Sequence, residues 1–132
     1  MQTQPLTIAI VDDHGIMRKA VSLRLSMAGY KVVMEAENGK HFLDQLQRGP
    51  VPELCLLDIN MPVMNGFETL GHLKKDYPQM KVVFFSMQDD KPFITKALQL
   101  GADGYVTKDA PLEELDSTLH NLVKERKVKV AV

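Results

Sequence analysis

The chain has 132 residues, 45% hydrophobic and 25% charged, the proportions of an ordinary globular domain. That length suits one domain with a sizeable core, and a second catalytic domain is not expected. Sixteen basic against seventeen acidic residues give a formal charge of −1, so no bulk field draws the chain to nucleic acid or anionic lipid.

Short β-branched apolar runs alternate with longer amphipathic stretches. The runs cover residues 6–11, 31–36, 53–59, 81–86 and 104–107, and several are near-continuously apolar, as in strands covered on both faces. The first helical pattern sets Ile16, Ala20, Leu23 and Met27 on one face and stops at Gly29. The second groups Phe42, Leu43 and Leu46 before Gly49-Pro50, and the third Phe67, Leu70, Leu73 and Tyr77 before Pro78. A fourth starts near Pro92 with Phe93, Ile94, Ala97 and Leu98 inward and closes at Gly101. The fifth aligns Leu112, Leu115, Leu119 and Leu122, with Asp109 as its expected N-cap.

Five β-then-α units predict an α/β fold with a parallel sheet and right-handed crossovers. The domain is expected over residues 1–123, and residues 124–132, rich in lysine and arginine, as a tail or the start of a linker. Cys55 cannot form an internal disulfide and reads as a small core residue, which suits a reducing compartment. No apolar run is long enough to cross a bilayer, and residues 1–5 lack the regions of a secretory signal. A soluble cytoplasmic domain is expected. The methionines, including Met17, Met27 and Met34, read as core filler. His14, His41, His72 and His120 show no metal-ligand spacing and are assigned no role.

Ligands of open α/β sheets bind beyond the carboxyl ends of the strands. The first strand ends in Asp12-Asp13, the third in Asp58, the fourth in Ser86 and the fifth in Lys108. Carboxylates crowded at one rim need a cation, and Mg²⁺ fits them through oxygen ligands. A carboxylate can also attack phosphorus to give an acyl phosphate. Asp58 as nucleophile, Asp12 and Asp13 as metal holders, and Lys108 and Ser86 on phosphoryl oxygens form a coherent set. No glycine-rich phosphate loop follows the first strand, which counts against nucleotide or flavin binding.

Val11-Asp12-Asp13-His14, the stretch from Leu56 to Gly66 containing Asp58 and Met61-Pro62, Phe85-Ser86, and the stretch from Gly101 to Lys108 together resemble a response-regulator receiver domain. The likeness runs from residue 6 to about residue 123. It is nearest to the branch whose members usually carry a C-terminal helix-turn-helix. The resemblance implies a flavodoxin-like (βα)5 doubly wound sheet of order 2-1-3-4-5. It implies that Asp58 accepts a phosphoryl group from a histidine kinase or phosphotransfer protein. It further implies Mg²⁺ held by Asp13, Asp58 and the backbone carbonyl of Asn60, with Asp12 acting through water. Ser86 and Lys108 match the phosphate-sensing pair, and Tyr105 the aromatic switch.

The chain is then a phosphoacceptor that assists its own phosphorylation and dephosphorylation, not an enzyme turning over an external substrate. Its expected partners are the phosphodonor, an output domain or effector protein, and a second copy in a homodimer. No exposed apolar stripe is legible that demands such a dimer. Contact with nucleic acid or membrane is not expected, and residues after Leu122 show no DNA-binding pattern. Met87, after Ser86, is expected to narrow the approach to the site, and Asn60 and Gln88 to tune phosphate lifetime. A phosphohydrolase of the haloacid-dehalogenase type is disfavoured, because Asn60 stands where a second aspartate is required. The alternative is a receiver-like module that binds protein without phosphorylation.

Overall fold

The computed structural model describes residues 4–131. Five parallel strands lie in the order β2-β1-β3-β4-β5: β1 (Thr7–Val11), β2 (Lys31–Ala36), β3 (Leu54–Leu57), β4 (Lys81–Ser86) and β5 (Gly104–Thr107). Between and after them run α1 (Gly15–Met27), α2 (Gly39–Leu46), α3 (Gly66–Asp76), α4 (Lys91–Gln99) and α5 (Leu112–Ala131). This is the expected doubly wound (βα)5 sheet.

The strand pleat divides the apolar runs between two cores. Ala9, Val11, Cys55, Leu57, Val82 and Phe84 face a cluster with Phe42, Leu70 and Ala97 from α2, α3 and α4. Their neighbours Ile8, Ile10, Leu54, Leu56, Val83 and Phe85 face Val21, Leu25, Leu115 and Leu119 from α1 and α5. Burial on both faces is why these strands are apolar without alternation. Cys55 is fully buried, as expected, and desolvation drives its thiol pKa well up.

Local chemistry marks the helix ends. Asn65 and Glu68 form a reciprocal capping box that starts α3, and the Asn38 side chain caps α2 by accepting the His41 amide. Gly29 and Gly101, with φ of 98° and 105°, turn the chain beyond α1 and α4 in the left-handed region that glycine adopts freely.

Several sequence expectations are corrected. The face of α1 bearing Ile16, Ala20, Leu23 and Met27 points to solvent, and the buried residues are Val21 and Leu25. Periodicity identified a stripe but not which of two stripes meets the sheet. Arg18 fixes the phase: its guanidinium donates to the Asp12 carbonyl at 2.6 Å and pairs with Glu35 at 3.2 Å. Met17 and Met27 are accordingly exposed and not core filler.

On α4, Leu98 is 50% exposed because Ala97 takes the inward position, and Leu112 at the start of α5 is 43% exposed. Asp109 is not the N-cap of α5. It sits in the turn closed by the Ala110 amide on the Thr107 carbonyl, and Pro111 precedes the first helical residue. Helix α5 runs without a break from Leu112 to Ala131, and the side chains of residues 125–132, in the segment expected as a basic tail, lie outside the described residues. Among the described residues no helix is long and apolar enough to cross a membrane.

Candidate functional site

The site lies at the carboxyl edge of the sheet, where strand pairing runs one residue past the strand ends. The Asp12 amide donates to the Ala36 carbonyl, the Asp58 amide to Val11, and the Lys108 amide to Ser86, at 3.0, 3.0 and 2.8 Å. These bonds hold the backbones of Asp12, Asp58 and Lys108 at the carboxyl edge of the sheet, and their side chains meet there.

The Lys108 ammonium stands 2.7 Å from Asp12 Oδ2 and 3.1 Å from Asp58 Oδ2. The three side chains are almost wholly buried, at 3 to 5% exposure. The second oxygens are held by amides, Asp58 Oδ1 by Ile59 at 2.8 Å and Asp12 Oδ1 by His14 at 2.9 Å. Asp13 is on the exposed side of the rim.

Burial pushes the Asp58 carboxyl above the usual carboxylate range; the Lys108 charge opposes this and the Asp12 charge adds to it. For Lys108 burial acts to lower the ammonium pKa. It is outweighed by the hydrogen bond to Asp12 and the charges of Asp58 and Asp12, which leave it raised.

Asp12, Asp13, His14 and Asp58 each bring one ligand atom within 4.8 Å of the others. Asp12, Asp13 and Asp58 are three acids against the single Lys108 ammonium, so when ionised the rim carries surplus negative charge. That surplus and the oxygen-rich donor set fit a hard divalent cation. His14, given no role from its spacing, brings Nδ1 to 3.2 Å from Asp13 and 3.3 Å from Asp12. Its place directly after the paired aspartates was the available signal.

Ser86 is buried at the end of β4, where its hydroxyl accepts the Gln88 amide at 3.2 Å. The Tyr105 hydroxyl donates to the Gln88 carbonyl at 2.5 Å, and its half-buried ring stacks obliquely on Phe84 at 6.0 Å. Burial raises the Tyr105 phenol pKa. Gln88 therefore enters the site by its backbone. Asn60 is exposed on the loop after Asp58, and Met87 is 62% exposed on the loop after Ser86.

Gly66, which enters the sequence reading only as the end of the stretch that begins at Leu56, is a site residue. A Cβ there would stand 2.3 Å from the Asp58 carbonyl oxygen and 2.8 Å from Ile59 Cα. The start of α3 thus lies directly against the backbone that carries Asp58.

Fold and rim together define a doubly wound α/β domain with an acidic pocket bridged by lysine. Residues 8–120 match the response regulator receiver domain. The chain belongs to that family, the receivers of two-component signalling systems. It is 42% identical over 118 residues to the nitrate/nitrite response regulator protein NarL of Escherichia coli (strain K12), covering 89% of this chain and 54% of that protein. Among solved structures it resembles a LuxR-family response regulator from Aurantimonas sp. SI85-9A1, with TM-score 0.84 and 29% identity, covering 92% of this chain and 86% of that one. It is also similar to a CheY-like receiver domain protein from Methanospirillum hungatei JF-1, with TM-score 0.84 and 26% identity, covering 95% and 98%. The chain spans about half the length of the curated relatives it matches.

Proposed function

We propose that this chain is a phosphorylation-controlled switch of a two-component system, with Asp58 as its phosphoacceptor. The observation that carries the reading is the buried Lys108 ammonium held between Asp12 and Asp58 at the carboxyl edge of the sheet. An Asp58 carboxylate oxygen attacks the phosphorus of a histidine-kinase or phosphotransfer phosphohistidine. The phosphorus–nitrogen bond breaks with its electron pair passing to the imidazole, which then takes a proton, and an acyl phosphate forms.

Asp13, Asp58 and the Asn60 carbonyl, with Asp12 through water, would hold Mg²⁺, which when bound supplies charge neutralisation for the carboxylates and the incoming phosphoryl oxygens. Once Asp58 carries the phosphoryl group, Lys108 turns its ammonium to a phosphoryl oxygen, and Ser86 donates its hydroxyl to another. Ser86 and Tyr105 share the Gln88 backbone, so movement of Ser86 is transmitted to the loop before α4. The altered α4–β5–α5 surface would be read by an output domain or effector, with transcription as the output. The chain assists its own phosphorylation and dephosphorylation without an external substrate, and it works in the cytoplasm.

Intact-mass spectrometry after incubation with acetyl phosphate, with and without Mg²⁺, tests this reading. One phosphoryl adduct is expected, dependent on Mg²⁺, labile to hydroxylamine and absent from Asp58→Asn. A wild-type chain that stays unmodified by both acetyl phosphate and a phosphorylated histidine kinase would instead support a binding module independent of phosphorylation.

A further inference from the structure

Arg18, in the first turn of α1, reaches the rim without a part in the chemistry above. Helical side chains lean toward the helix N-terminus, which lays its guanidinium over the residues just before α1. Nη1 donates to the Asp12 carbonyl at 2.6 Å and Nε to Glu35 Oε1 at 3.2 Å, from a side chain only 18% exposed. The Asp12 amide already donates to the Ala36 carbonyl, and the Asp12 carboxylate meets Lys108 and the His14 amide. With Arg18 on its carbonyl, every polar group of Asp12 is held. That carbonyl belongs to the planar peptide that carries the Asp13 amide, so Arg18 fixes the plane from which Asp13 projects.

An irregularity in the sheet places Glu35 to anchor this arginine. The β1–β2 register slips by one residue between Ile8 and Ala9, so Val32 stands opposite Ile8 but Met34 opposite Ala9. Without the slip Glu35 would stand opposite Val11, which faces the core beneath α2 and α3. With it Glu35 stands opposite Ile10, on the side of α1. Slips of this kind re-aim side chains beside active sites. Lys19 also reaches Glu35 Oε1, at 3.3 Å, from an exposed position. Two cations on one carboxylate leave a net positive charge beside the rim, which by itself repels a dication. Arg18 therefore serves a cation site by its geometry and not by its charge.

We propose that Arg18 is a positioning residue for the divalent cation. Through the Asp12 carbonyl it holds the Asp12–Asp13 peptide in the orientation that turns the Asp13 carboxylate toward Asp12 and Asp58, with Glu35 as its anchor. The inference rests on the reading of the rim as a Mg²⁺ site and adds to it a group that never touches the ion. Outer partners of this kind orient a metal ligand without binding the metal. The planar fork matters, because Nη1 and Nε are donors on one rigid guanidinium and tie the end of β1 to β2 at a fixed angle. An ammonium at this position can meet the Asp12 carbonyl or Glu35 but offers no such fork.

Titration of the full chain with MgCl₂, followed by amide NMR without a phosphodonor, tests this. Arg18→Met should weaken Mg²⁺ binding about tenfold, although it takes a positive charge away from the site. Lys19→Met removes the same charge from the same carboxylate and should leave the affinity unchanged or slightly tighter. Arg18→Lys should recover part of the loss. In metal-free protein the Asp13 amide resonance should move in Arg18→Met and stay in Lys19→Met. Phosphorylation by acetyl phosphate should slow in Arg18→Met at low Mg²⁺ and return to the wild-type rate at saturating Mg²⁺, since Asp58 and Lys108 are untouched. An Arg18→Met chain that binds Mg²⁺ as tightly as the wild type, a Lys19→Met chain that loses as much, or a slowed rate that saturating Mg²⁺ does not restore overturns the proposal. Should Arg18→Met lack a cooperative melt in chelator, Arg18→Lys carries the test, and binding equal to that of Lys19→Met overturns it. If Arg18→Met loses Mg²⁺ while neither acetyl phosphate nor a kinase modifies the wild type, the phosphoacceptor reading fails and the positioning role stands.

Discussion

The hydroxyl of Tyr105 on β5 is bonded to the backbone carbonyl of Gln88, at 2.5 Å, while the Gln88 amide donates to Ser86 Oγ at 3.2 Å. The loop leading to α4 is thus pinned from both sides, by the residue proposed to sense phosphate and by the aromatic ring. Tyr105→Phe keeps the ring against Phe84 and removes only the hydroxyl. Loss of one net hydrogen bond, about 1 kcal/mol, should speed amide exchange of residues 87–89 roughly fivefold. Hydrogen-exchange mass spectrometry reads this directly. Unchanged protection there would mean that the loop is held by its own backbone and not by Tyr105.

The raised Asp58 pKa has a defined sign in stability. A buried carboxyl with a pKa above its unfolded value holds more protons folded than unfolded, so stability falls as pH rises from the ordinary carboxylate range through the raised value. Asp58→Asn removes that charge and leaves Lys108 paired with Asp12 alone. In chelator, the variant should melt above the wild type at neutral pH, and the gap should close below about pH 4. Millimolar Mg²⁺ should then stabilise the wild type more than the variant. A gap that does not vary with pH would remove the linkage.

Lys108 is held in place from the other side. Substituting it by methionine leaves Asp12 and Asp58 buried without their cation, a loss of roughly 3–5 kcal/mol for a broken buried pair. Part of this should return on acidification, as the carboxyls take up protons, or on adding Mg²⁺. Because the Lys108 pKa is raised, its stabilisation is fully present below about pH 10 and is lost as pH climbs through the raised value. Chemical denaturation at pH 7 and pH 4.5 measures the first claim. Equal losses at both would show that packing, not charge, is what lysine supplies.

Much of this was legible in the chain because two-sided burial leaves so plain a pattern. The strands over 31–36, 81–86 and 104–107 have the bounds expected from their apolar runs. The third is shorter, Leu54–Leu57, because the Ile59 amide turns to the Asp58 carboxylate and takes the chain out of the ladder. The convergence of Asp12, Asp58 and Lys108 was also readable, since each directly follows a strand of one parallel sheet. The phase of α1 was not. Val21 and Leu25 compete with a longer apolar row, and the contacts that decide between them, Arg18 to Asp12 and Glu35, join residues that no periodicity connects. The close approach at Gly66 is likewise a tertiary fact, invisible in a turn motif.

That close approach supplies a paired test. In Gly66→Ala the new methyl group would meet the Asp58 carbonyl oxygen at 2.3 Å and Ile59 Cα at 2.8 Å, and neither backbone atom can yield without displacing Asp58. A loss of about 2–3 kcal/mol is expected from such overpacking, together with slower phosphorylation by acetyl phosphate. Gly71, five residues along the same helix, is exposed, with nothing within 4 Å of its Cβ position. Gly71→Ala should therefore stabilise by about 0.5–1 kcal/mol through helix propensity alone and leave phosphorylation unchanged. Urea unfolding of the two variants separates them by sign. If Gly66→Ala matched Gly71→Ala in stability and in phosphorylation rate, α3 would not be what positions the Asp58 backbone.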